Sequence, residues 1–163
     1  MYHALGKARK AKVPAKKSSK VIWILGADTL VYFRGRLLGK PSNKAEARRM
    51  IGEMSGRRHW VYTGIALRNL KSGEEKIGFA KTEVKFKKWN KAQIEKYLSR
   101  VNPLDKAGAY AIQAKPSIVK SYRGSLSNVI GLPLELLKKM LREGGRKTGR
   151  ANDKPQSRKR RSR

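Results

Sequence analysis

Cysteine is absent from this chain of 163 residues. That excludes disulfides, a thiolate metal centre and a cysteine nucleophile, and it fits a reducing compartment. Only two histidines occur, His3 and His59. A histidine-rich metal site is therefore excluded, and His59, on a predicted strand, reads as structural. No apolar run approaches the ~20 residues needed to span a bilayer. The basic N-terminus lacks the apolar core of a secretory signal, so a cytoplasmic protein with no membrane partner is expected. There is no Gly-x-Ser-x-Gly elbow, no Walker-type loop and no dinucleotide fingerprint. Acid is scarce: 11 Asp/Glu stand against 41 Lys/Arg, a formal net charge of +30.

The positive charge is concentrated at the ends. Residues 1–20 hold seven Lys/Arg and no acid, and residues 138–163 hold twelve basic and two acidic residues. Residues 1–20 show no periodicity, and residues 146–163 contain no large apolar side chain. Both read as disordered basic arms, 1–20 and 146–163, around a single domain at 21–145. Such arms either contact the phosphates of RNA or another nucleic acid without reading sequence, or serve solubility alone.

Within 21–145 the patterning is that of an α/β domain with long antiparallel strands and flanking helices. The run Val21-Ile22-Trp23-Ile24-Leu25 ends at Gly26 and predicts a buried strand, followed by a hairpin over 30–38. Asn43, with Glu46 three residues on, predicts a capped helix carrying Ala47, Met50, Ile51 and Met54 inward. Two strands, about 59–70 and 76–87, are joined by the turn Lys71-Ser72-Gly73-Glu74. Asn90 and Gln93 predict a second capping box, with Ile94, Tyr97 and Leu98 inward. Ile118-Val119 reads as a strand. Pro133 suits the first turn of a last helix burying Leu136, Leu137, Met140 and Leu141.

Four segments carry the chemistry. Asp105-Lys106-Ala107-Gly108-Ala109-Tyr110-Ala111-Ile112-Gln113 joins a carboxylate, an ammonium, a glycine and a terminal amide. It reads either as a simple ion pair or as an anion site beside a metal-capable carboxylate. Asp28, in Gly26-Ala27-Asp28-Thr29, is either a turn former or an acid projecting into a cleft to hold a metal or a water. Lys40, between Gly39 and Pro41, is a cation on a rigid corner, suited to a phosphate. Ser125, Ser127 and Asn128 lie beside Gly124 and Gly131, as phosphate donors or as loop-orienting groups.

Together these segments resemble the Maf family of nucleoside triphosphate pyrophosphatases. The likeness runs from Gly26-Ala27-Asp28-Thr29 through Leu38-Gly39-Lys40-Pro41 and Ser55-Gly56-Arg57. It continues through Pro103-Leu104-Asp105-Lys106-Ala107-Gly108-Ala109-Tyr110 and Ile112-Gln113, and ends at Gly124-Ser125 through Pro133. It covers residues 21 to about 141. The resemblance implies a Maf/ITPase-like mixed sheet and cleavage of a nucleoside triphosphate between the α and β phosphates, with a divalent cation (Mg²⁺ or Mn²⁺).

It implies that Asp28 accepts a proton from water or binds the metal, that Lys40 and Lys106 hold phosphate, and that Asp105 supports the metal or Lys106. The Asp-Lys-Ala-Gly-x-Tyr-x-Ile-Gln run is similar to the dTTP/UTP-cleaving branch, with Thr29 and Gln113 as base-selecting contacts; the polar cluster itself makes Ser125 and Asn128 candidate substrate contacts. The family's opening strand, Ser-x-x-Arg-Arg loop and Lys-bearing helix find no counterpart in residues 1–20. The expectation is thus an N-terminally truncated domain whose strand at 21–25 needs covering by a second copy, another protein or RNA. The alternative function is a catalytically degenerate Maf-like domain serving as a structural RNA-binding subunit.

Overall fold

The computed structural model describes residues 2–12 and 22–145. Five strands form one antiparallel sheet, β1 (Trp23–Phe33), β2 (Arg36–Leu38), β3 (Arg58–Asn69), β4 (Glu75–Phe86) and β5 (Val119–Arg123). Their order is β2-β1-β3-β4-β5. The helices are α1 (Tyr2–Lys10), α2 (Lys44–Met54), α3 (Lys91–Leu98), α4 (Leu126–Ile130) and α5 (Leu134–Gly145), with a 3₁₀ turn at Ala107–Ala109.

Two expectations are overturned at the N-terminus. Residues 2–10 are not a disordered arm: they form α1, which buries Ala4, Leu5 and Ala8. These three pack on Ala66 of β3 and Ile24 of β1. Arg9 clamps the helix to β4 by donating to both oxygens of Glu75, at 2.8 and 2.6 Å. That hydrogen bond holds the Glu75 carboxyl below its ordinary range. The basic last turn (Lys7, Arg9, Lys10) also suits the negative end of the helix dipole. Secondly, the strand does not stop at Gly26. β1 continues through Asp28 because β3 pairs with it without a break from Trp23↔Asn69 to Tyr32↔Trp60. Residues 1 and 13–20 of the expected first arm, residue 21, and all of the second arm, 146–163, lie outside the described residues.

The rest follows the hydrophobic pattern. One face of the sheet holds the core: Val31, Phe33, Val61, Val84 and Phe86 meet Met50, Ile51 and Met54 of α2 and Ile94, Tyr97 and Leu98 of α3. Ile65 and Leu67 of β3 meet Met140 of α5 on the same face. Leu141, expected inward, is 44% exposed. Asn90 and Gln93 form both halves of the capping box at α3. At α2 only one half forms: Asn43 accepts from the Glu46 amide, while the Glu46 carboxylate accepts from the amide and hydroxyl of Ser42.

β2 pairs with β1 only at residues 31–33. Among the described residues the edge of β1 over residues 23–30 therefore has no strand beside it, and a cleft opens there.

Candidate active site

Alternation along β1 sends Asp28 and Thr29 to opposite faces of the sheet. On one face, α1 delivers Lys7, whose Nζ lies 2.7 Å from Asp28 Oδ1 and donates to the Ala27 carbonyl at 2.9 Å. The helix comes this close because residue 26 is glycine. A Cβ there would stand 2.1 Å from the Ala4 carbonyl oxygen and 2.8 Å from the Ala8 nitrogen. On the other face, Thr29 Oγ1 meets Thr63 Oγ1 at 2.9 Å, and Thr63 donates to the Asn128 carbonyl at 2.9 Å.

The Asp105 segment crosses the open edge of β1. Gly108 makes that crossing possible: its φ of 68° favours glycine, and a Cβ there would stand 2.9 Å from Val31 Cγ2. The Gly108 amide donates to the Gly39 carbonyl at 2.9 Å. That single bond ties the Gly39-Lys40-Pro41 corner to the loop bearing Asp105 and Lys106. Behind it, Tyr110 is buried edge-on to Phe86 and His59, with its hydroxyl 2.9 Å from His59 Nε2. Burial drives the His59 pKa down to about 4 and pushes the Tyr110 phenol well above its usual value. His59 is thus a neutral structural residue, as its lone position on a strand suggested. The Tyr97 hydroxyl accepts from the Ala111 amide at 3.0 Å and fixes the far end of the loop.

The result is a cavity of about 330 Å³ at the β1 edge. Asp28, Thr29, Lys40, Asp105, Lys106 and Gln113 all line it, and so does Lys7. Lys106 Nζ lies 2.9 Å from Asp105 Oδ1. That hydrogen bond holds the Asp105 carboxyl below its usual range, with Lys40 adding a smaller effect of the same sign. Three ammonium groups against two carboxylates leave the cleft cationic, suited to a polyphosphate.

Ser125 and Asn128 are placed elsewhere. The Ser125 side chain caps α4 by accepting from the Asn128 amide and donates to Glu135 Oε2 at 2.8 Å. Asn128 is fully buried, its amide donating to the Val61 carbonyl at 3.1 Å and Thr82 Oγ1 at 2.8 Å. From α4 the cleft receives Val129 and Ile130. Lys7 is the site residue that sequence reasoning missed. Its signal was Ala4, Leu5 and Ala8 on one helical face, with Gly26 as the matching hollow.

Among the described residues no group of three or more His, Cys, Asp or Glu side chains is placed to hold a metal ion by itself. The cleft offers two carboxylates, Asp28 and Asp105. This hard-oxygen set fits a Mg²⁺-type ion, which takes one or two carboxylates and completes its shell with water and substrate phosphate. No described helix is long and apolar enough to cross a membrane.

The Maf-like protein family matches residues 1–144. The chain belongs to that family. The match begins at residue 1, so the family likeness is not confined to residues from 21 onward, as was expected. The chain is 45% identical over 145 residues to a dTTP/UTP pyrophosphatase of Clostridium botulinum (strain Loch Maree), covering 87% of this chain and 73% of that protein. It is 43% identical over 140 residues to a dTTP/UTP pyrophosphatase of Thermococcus kodakarensis, covering 85% and 73%. A third protein of that name, from Moorella thermoacetica, is 46% identical over 119 residues, covering 72% and 61%.

Proposed function

We propose that this protein is a nucleoside triphosphate pyrophosphatase that hydrolyses dTTP and UTP to the monophosphate and pyrophosphate. The observation that carries the reading is the convergence of Asp28, Lys40, Asp105, Lys106 and Gln113 on one cleft, with Lys7 against Asp28. The names of the relatives supply the substrate class. A degenerate RNA-binding relic is disfavoured by the same convergence, since a purely structural domain has no need of two carboxylates among three lysines in a cleft.

Position supports each role. Lys40, on its corner, and Lys106, on the facing loop, hold the triphosphate from two sides as point charges. Lys7 orients Asp28 by holding Oδ1. Asp28 accepts the proton of the attacking water. The water oxygen bonds to phosphorus, the bridging P–O bond between α and β breaks, and pyrophosphate leaves with that electron pair. Asp28 and Asp105 would hold a divalent cation, Mg²⁺ or Mn²⁺, which when bound neutralises phosphate charge. Gln113, at the rim, pairs its amide with the pyrimidine edge, and Thr29 bounds the pocket beneath.

The test is product analysis. Nucleic-acid-free protein is mixed with dTTP, UTP, CTP, ATP and GTP and Mg²⁺ or Mn²⁺. The expected result is one pyrophosphate per monophosphate, fastest with dTTP or UTP. Release of inorganic phosphate and diphosphate nucleotide, or no turnover of any triphosphate, would overturn it.

A further inference from the structure

The sheet has a second face, and α1 covers only one end of it. Pairing register places Tyr32, Trp60 and Glu83 in one row across β1, β3 and β4, and Leu30, Tyr62 and Lys81 in the next. Phe79 lies one row further, opposite Gly64. Four aromatic rings therefore share one surface. Tyr32 is 38% exposed and Phe79 55%. Tyr62 and Phe79 lie 6.3 Å apart between ring centroids. Lys81 reaches over this surface, its Nζ 3.8 Å from the Trp60 ring centroid and 5.5 Å from that of Tyr62. Register puts Lys85 and Arg123 on the same face. Among the described residues neither they nor Lys81 has a carboxylate within ion-pair distance.

We propose that this aromatic face of β1, β3 and β4 binds single-stranded nucleic acid, with bases stacked on Tyr32, Tyr62 and Phe79 and phosphates held by Lys81, Lys85 and Arg123. Charge selects the occupant. The exposed rings call for a flat apolar partner, and the +30 chain calls for a polyanion. Unpaired bases on a phosphate backbone satisfy both demands, and stacking on aromatics needs no particular sequence. A duplex hides its base faces, and a second copy would bring two chains of +30 together. The surface adjoins the nucleotide cleft at Asp28, which shares a row with Gly64 and Phe79, but none of its four rings lines that cavity.

The experiment uses the full chain and three probes of matched charge: a fluorescein-labelled oligo(U) of about 24 nucleotides, an RNA duplex of about 12 base pairs and inorganic polyphosphate of about 24 units. Binding is measured by anisotropy and competition at fixed salt. The single strand is expected to bind ~10-fold or more tighter than either competitor, because only it offers free base faces. The double variant Tyr32→Ser, Phe79→Ser keeps every cation and both basic ends. It should lose ~10-fold or more for oligo(U), and nothing for polyphosphate. Its dTTP turnover should match the parent. Equal binding of the three probes, or an unchanged affinity in a folded variant, overturns the proposal. So does a parent dimer that Phe79→Ser dissociates, since the face would then be an interface between copies. If the variant does not fold, oligonucleotide carrying 4-thiouridine is crosslinked to the parent. Adducts at Tyr32, Trp60, Tyr62 or Phe79 support the proposal, and adducts confined to other segments overturn it.

Discussion

Lys7 Nζ sits 2.7 Å from Asp28 Oδ1, joining residues 21 positions apart at the edge of the sheet. The half-exposed Lys7 adds little stability through this contact by itself. Its value is positional, and it rests on Gly26. Gly26→Ala would press a Cβ to 2.1 Å from the Ala4 carbonyl, a backbone atom that cannot swing aside. The helix must lift, with a loss of about 1–3 kcal/mol of stability. Urea unfolding should show that loss, and hydrogen exchange should show faster exchange in α1. Turnover should fall with it, because Lys7 leaves Asp28.

Gly108 plays the matching part on the other wall. In Gly108→Ala a side chain is forced to a φ of 68° and a Cβ is set 2.9 Å from Val31 Cγ2. The left-handed backbone alone costs about 1–2 kcal/mol. The loop should shift away from β1, carrying Asp105 and Lys106 with it. KM for dTTP is expected to rise, and unfolding to occur at lower urea. An unchanged KM would separate the loop's position from substrate binding.

Gln113 lies at the exposed rim of the cleft, where it sets preference more than rate. Gln113→Ala should narrow the ratio of kcat/KM between UTP and purine triphosphates by about tenfold, because a lost amide contact relaxes selectivity. A constant ratio with intact turnover would place Gln113 outside the base pocket.

Stability should depend on pH through His59. Burial lowers its pKa from 6.5 to about 4. Between those values the unfolded chain binds a proton that the folded chain does not. Stability is therefore full above pH 6.5 and falls as pH drops toward 4, by on the order of 3 kcal/mol. Denaturation series between pH 7 and 4 should show this decline, and His59→Gln should flatten it.

Much of this arrangement was legible in the sequence. β3 and β4 followed from the turn that joins them, and α2 and α3 from Asn43 and Asn90. The cleft residues followed from short motifs whose glycines mark close backbone approach. What was hidden depends on partners distant in the chain. The inward face of α1 is two alanines and a leucine among lysines, too weak a signal without Gly26 and Ala66 opposite. β1 looked broken at Gly26 and Asp28, and only its pairing with β3 carries it through. Ser125 and Asn128 look like ligand contacts in isolation. Their roles, capping α4 and bonding to Val61 and Thr82, become visible only once α4 lies on the sheet.

The most direct measurement is the rate of pyrophosphate release from dTTP by Asp28→Asn beside the parent, with binding of a non-hydrolysable dTTP analogue measured in parallel. The substitution keeps the shape of the side chain and removes its charge. A carboxylate that takes the proton of water is worth about a hundredfold or more in rate. The account predicts a kcat at least that much lower, with analogue binding retained. A variant that cleaves dTTP as fast as the parent would contradict it.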